Sequence, residues 1–194
     1  MAINHVGSDL RVVLDQPLGF VSAAEGFVFL SGILTGRLDP PVGGRADELA
    51  RRARRRSARA YLWHAVGLVA VWGWVRVWLA LDQGRPWALP FAFHEGNGLA
   101  GLASGLSLLY QPGMLDILPM YVGFPLLATV VLRAHAQRWG LAAWLVSGTV
   151  WALDQWLAPA HPLIWGPINT GAFHFLSWQW LFVTGVLLGA EPRW

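Results

Sequence analysis

Three carboxylates stand in or beside apolar runs: Glu25 in AAEGFVFLSG, Asp116 in LDILP and Asp154 in WALDQW. A charge inside a membrane span costs about 2.5–3.5 kcal/mol on insertion scales, so each needs a partner or a task. Arg76 and the histidines at 5, 64 and 174 are the candidate partners. Asp154 reads as one half of a buried ion pair, with Arg76 for example, that holds helices in register. Glu25 reads as functional, because its neighbours Ala23, Ala24 and Gly26 are small and leave room for a ligand or another helix. His5 follows Asn4, a place where an imidazole serves as a general base, an interfacial aromatic or a plain helix-end hydrogen bonder.

Other chemistries find no support in the spacing. The six histidines form no HxxxH or HxxEH pair and there is no cysteine, so no metal is expected. The chain has no GxSxG and no P-loop, and GNGLAG at Gly96–Gly101, although it has the glycine spacing of the dinucleotide fingerprint, opens no soluble βαβ unit.

The elements that would position these residues are apolar helices. Of 194 residues, 55% are apolar and 13% charged, against roughly 25% charged in a soluble domain. Thirteen Trp and nine Phe exclude a disordered chain. The pattern predicts an all-α polytopic transmembrane bundle as a single membrane domain over 1–194, with about five spans at 20–36, 61–81, 115–132, 141–158 and 173–190. Residues 1–7 resemble the stub of a first helix, so the expectation is a chain that starts outside without that helix or has lost it; no signal peptide is read. Leu99, Leu102, Leu106 and Leu109 recur at helical spacing over 97–110. That run is about 21 Å long, too short to cross, and reads as a re-entrant or interfacial helix or as a short helix packed against the bundle.

All 14 basic residues are arginine, and their placement argues against a nucleic-acid partner. Seven lie between Arg45 and Arg59, which makes 37–60 a basic cytoplasmic loop. With that loop inside, eleven arginines face the cytoplasm against Arg11 and Arg85 outside, and the C-terminus is cytoplasmic. The expected location is the inner (plasma) membrane, with the lipid bilayer as partner. The outer loops then carry His94, Glu95, Asn97, His161 and Asn169, which suit a polar ligand. Arg51–Arg59 could serve as a topology signal or meet a coenzyme's phosphates.

Four segments carry a family resemblance: INH at 3–5, QPLGFVSAAEGFVFLSGILTGRL, YQPGMLDILPMYV and FHFLSWQWLFVTGVLLG. In these blocks and their order the chain resembles the OpgC family, multi-pass succinyltransferases of osmoregulated periplasmic glucans, within the wider group of transmembrane acyltransferases. The resemblance implies an integral membrane O-acyltransferase with an acyl coenzyme A, succinyl in that family, as donor and a glucan or other saccharide as acceptor. It makes His5 the general base, Glu25 its orienting acid and Asp116 a further essential carboxylate. Asn4, Tyr110, Gln111 and Trp178 would line the same outer pocket, with Arg76 and His174 as further substrate-binding candidates. Family members have a full first helix and more spans, so a short or truncated member is expected. The non-enzymatic alternative is an inactive remnant or accessory subunit of the same fold. A solute permease would explain the intramembrane charges but not the motif blocks.

Overall fold

Two pairs of glycines, Gly32 with Gly36 and Gly185 with Gly189, stand four residues apart in apolar segments, so each pair lies on one face of a helix. In the computed structural model, which describes residues 23–39, 46–81, 98–110, 115–157 and 174–191, those two faces meet. They belong to α1 (Ala23–Leu38) and α6 (Phe175–Ala190). A Cβ at Gly32 would run into the Phe182 carbonyl oxygen, and one at Gly185 into that of Phe29. Gly36 and Gly189 are confined in the same way by the carbonyls of Val186 and Ile33. Only glycine lets the two backbones approach this closely, and the pairing sets α1 and α6 side by side and parallel.

Four more helices complete the described residues: α2 (Ala46–Ala80), α3 (Gly98–Leu106), α4 (Ile117–Ala136) and α5 (Gly140–Leu157). No strand occurs among those residues, so the all-α expectation holds. The principal core lies where α4 packs against α1 and α6: Val28, Met120, Leu132 and Val183 are buried together, and the Phe124 ring stacks on Phe182 at 4.2 Å. Phe175 fills the space left by Gly123, which brings the starts of α4 and α6 to the same end. At the opposite end His135 and Glu191 are 4.0 Å apart.

The stretch 37–60, expected as a loop, is helical from Ala46 onward. Ala, Arg, Leu and Glu are strong helix formers, Asp47 and Glu48 sit in the first turn, and Glu48 pairs with Arg52 one turn on. Helix propensity, not charge density, decides its backbone. The result is one 35-residue helix about 52 Å long, basic in its first half and apolar in its second. Arg56 and Arg52 hold the buried carboxylate of Asp39, which ties the end of α1 to this basic half.

The expected helix over 97–110 is shorter than its leucine spacing suggested. Its 9 residues run antiparallel to α2 and are fastened to it by three side chains. Trp72 Nε1 donates to Gly98 O at 2.8 Å, His64 Nε2 lies 3.1 Å from Gly105 O, and the Tyr61 hydroxyl donates to Leu106 O at 3.0 Å. Leu102 and Leu106 pack on Leu68, whereas Leu99 is exposed. After Leu106 the chain turns through Leu108 at φ 63°.

Each expected span coincides with a helix, but by length and composition two of the described helices can cross a membrane, Asp47–Ala80 and Ile117–Ala136. Phe175–Ala190 is apolar and shorter. The five-span reading therefore goes further than these two helices.

Candidate functional site

The starts of α1, α4 and α6 and the end of α5 lie at one end of the bundle, and α2 runs past it, with Gly67 beside Leu115 and its last turns beyond. This follows from the parallel α1–α6 and α4–α6 contacts and from the antiparallel pairs Ser147–Gln179 and Trp144–Thr184 between α5 and α6. Glu25, Asp116, Asp154 and His174 thus share an end, Arg76 lies further out along α2, and the Arg52–Arg56–Asp39 cluster occupies the other end.

Glu25 opens into a cavity of about 540 Å³ bounded by α1, α5 and α6. Among the described residues Gln155, Ser177 and Thr184 contribute its other polar groups, and Trp144, Trp151, Trp178 and Trp180 most of its apolar wall. Trp144, Trp151 and Trp180 pack on one another, and Trp180 Nε1 is buried without a hydrogen-bond partner among the described residues. Trp180 lies 5.3 Å from Trp144 and 4.9 Å from Trp151 between ring centroids. Trp144 Nε1 donates to Thr184 Oγ1 at 3.0 Å, whose own hydroxyl donates to Trp180 O at 2.8 Å. Below the cavity Gln179 Nε2 donates to Ser147 O at 2.7 Å, while the Ser147 hydroxyl donates to Gln179 Oε1.

A second polar chain runs along the cavity's edge. Gln155 Nε2 donates to Ser177 Oγ at 3.3 Å, and the Ser177 hydroxyl donates to Asp154 Oδ2 at 2.6 Å. The other carboxylate oxygen of Asp154 lies 3.4 Å from His174 Nδ1. The carboxylate stands between serine and imidazole, so this is not a nucleophile–base–acid relay, in which the imidazole is central. It fixes Nδ1 of His174 toward Asp154 and leaves Nε2 for other partners. The ion pair expected between Asp154 and Arg76 is replaced by this contact across α5 and α6. Arg76 instead stands over the Trp72 ring at 5.9 Å, beside Gly98 at the start of α3.

The remaining sequence candidates are distributed. Trp178 shares the Glu25 cavity, and His174 adjoins it through Asp154 and Ser177. Asp116 is buried at the N-cap of α4 without bonding the helix's own first-turn amides, and it does not line the cavity. Tyr110 is buried against Leu68 beside α3, where burial pushes its phenol above the ordinary range. His64, a candidate carboxylate partner, meets the Gly105 carbonyl through Nε2, and its buried Nδ1 has no hydrogen-bond partner among the described residues. His5, Asn4 and Gln111 lie outside the described residues. Among the described residues no three His, Asp or Glu side chains gather as a metal site.

Sequence reasoning missed Trp144, Trp151, Trp180, Gln155 and Ser177. The signal was present as helical spacing: 144, 148, 151 and 155 recur at four, three and four residues, as do 177, 181 and 184 at four and three.

Fold and site define an all-helical protein with a carboxylate-bearing, indole-walled cavity toward one end of its bundle. Residues 1–193 match the family model described as OpgC protein, and the chain belongs to that family. Neither the curated proteins nor the solved structures gave a significant match.

Proposed function

We propose that this protein is a multi-pass membrane O-acyltransferase that moves an acyl group from coenzyme A to a saccharide hydroxyl. The observation that carries the reading is the placement of Glu25 in a cavity at the same end of the bundle as Asp116, in a chain of the OpgC family. The five apolar segments cross the bilayer, with the arginine-rich end in the cytoplasm and the cavity end outside. Exposed apolar side chains such as Leu141, Val146 and Trp156 support a lipid-facing exterior.

In this mechanism His5 takes the proton of the acceptor hydroxyl as its oxygen attacks the thioester carbonyl carbon. Glu25 fixes the imidazole's tautomer and stabilises its cation. Collapse of the tetrahedral intermediate breaks the C–S bond, and the thiolate recovers the proton from the imidazolium. A positioned base of this kind contributes typically 10²- to 10⁴-fold. Succinyl is the acyl group and a periplasmic glucan the acceptor that the family points to.

The test is expression in cells that lack their own glucan acyltransferase, with acyl substitution of the glucan read by mass spectrometry. Wild type should restore substitution, and His5→Ala and Glu25→Gln should each lower it by about 10²-fold or more. Unchanged substitution in the histidine variant would remove His5 from the mechanism. A folded wild-type protein that transfers nothing would favour an accessory bundle without turnover.

A further inference from the structure

His174 stands three residues before Ser177 and four before Trp178, so it continues the cavity-facing stripe of α6 by one turn toward the bundle's end. Asp154 stands three residues after Trp151 and next to Gln155, which both line the cavity. The pair therefore meets at the cavity's rim. We infer that it is an acid–base dyad, in which Asp154 orients His174 as a general base for water, and that it gives the protein an acyl-hydrolase activity separate from His5. The inference rests on the acyltransferase reading for the acyl group, whereas the base rests on the contact geometry.

The contact decides which ring nitrogen is basic. An imidazole that meets a carboxylate through Nδ1 carries its proton there, and in the neutral ring Nε2 then holds the lone pair. Nδ1 of His174 lies 3.4 Å from Asp154, a length that catalytic pairs often have before substrate binds. Nε2 has no partner among the described residues, and the side chain is 20% exposed, enough for a ligand to reach it. The carboxylate is held in place by the Ser177 hydroxyl on its other oxygen. The other described imidazoles are arranged differently. His64 is fully buried against the Gly105 carbonyl, and His135 turns Nε2 toward Glu191 at the opposite end of the bundle.

The step follows from that tautomer. Nε2 takes a proton from water as its oxygen attacks the carbonyl carbon of a thioester, and Asp154 stabilises the imidazolium that forms. Collapse of the tetrahedral intermediate breaks the C–S bond, and the departing sulfur takes the proton from Nε2. The products are a carboxylic acid and a free thiol, with His174 neutral again. Beside the dyad α6 begins without a side-chain cap, so its first-turn amides supply donors for the negative oxygen of the intermediate.

The experiment measures thiol release from S-acetyl-N-acetylcysteamine by the full chain in lipid nanodiscs. This probe needs neither coenzyme A nor a saccharide, and the chain has no cysteine to add to the signal. Wild type should exceed empty nanodiscs, and His174→Gln should lower kcat by about 10²-fold while KM and the thermal midpoint stay close to wild type. Asp154→Asn, which keeps an oxygen for Ser177, should lower kcat less. His135→Gln, an imidazole removed at the other end, should leave the rate unchanged. Wild type no faster than empty nanodiscs, or His174→Gln as fast as wild type, would overturn the inference. So would a rate lost in His174→Gln together with its thermal midpoint. Failure of the acyltransferase reading is separable: hydrolysis that depends on His174, in a protein that acylates no glucan, keeps the dyad and removes that reaction.

Discussion

Asp154 and His174 meet across α5 and α6 with 3.4 Å between carboxylate oxygen and Nδ1, and the second oxygen of the same carboxylate accepts the Ser177 hydroxyl at 2.6 Å. The Asp154 side chain is 9% exposed, so these bonds replace water that it has lost. One carboxylate therefore fixes two residues of α6 beside the cavity.

Replacing Asp154 by alanine leaves the Ser177 hydroxyl and the His174 imidazole without their acceptor. The expected cost is about 1–3 kcal/mol, seen as a lowered thermal midpoint in detergent. Asp154→Asn keeps an oxygen for Ser177 and should lose less. Equal midpoints for wild type and the alanine variant would mean that the contact does not tie the two helices.

The α1–α6 crossing makes a sharper demand. Gly32→Val and Gly185→Val each place side-chain atoms against the opposing backbone, which cannot yield as a flexible side chain does. Each should destabilise by about 1–3 kcal/mol or more and open the Glu25 cavity, since α1 and α6 form two of its walls. Gly26→Ala is the control on the same helix, because a Cβ there meets nothing within 4 Å. It should be neutral or slightly stabilising. A Gly32→Val protein as stable as the Gly26→Ala control would contradict the close crossing.

At the opposite end, the buried carboxylate of Asp39 and the half-exposed guanidinium of Arg56 give an asymmetric pair. Asp39→Asn releases an arginine that water can solvate. Arg56→Ala leaves a buried carboxylate with Arg52 at 3.8 Å as its described arginine partner. The arginine variant should therefore be the less stable of the two, by roughly 1–2 kcal/mol. Thermal unfolding of the two variants side by side reads the difference, and the reverse order would show that the carboxylate is not the costlier group to strand.

What could be read from the residues alone depended on whether the signal was local. Apolar length located all five helices expected as spans, and leucine spacing located α3, because both are properties of a continuous segment. The basic stretch from Arg45 to Arg59 has the charge of a loop and the Ala, Arg and Leu content of a helix, and the second decides its backbone. Glu25 and Trp178 share a cavity, yet the Asp154–His174 contact joins residues twenty positions apart, and no periodicity encodes which helices will be neighbours. The glycine pairs were legible as motifs. Their partnership was not, since small residues on a face permit a close approach without naming what approaches.

Tyr110 links the α2–α3 contact to pH. Burial disfavours its phenolate, so the folded-state pKa lies above the value of about 10 that the unfolded chain has. Below pH 10 both states hold the proton and its contribution to stability is complete. As pH rises past about 10 the unfolded state releases its proton first, and stability falls until the folded-state pKa is passed. The unfolding midpoint should thus drop between pH 9 and values above about 10, and Tyr110→Phe should drop less over the same interval. Tyr61, whose hydroxyl also fastens α3, serves as comparison: Tyr61→Phe removes a hydrogen bond to Leu106 O and should lower the midpoint at neutral pH. An alkaline loss of stability equal in wild type and Tyr110→Phe would show that this phenol does not carry it.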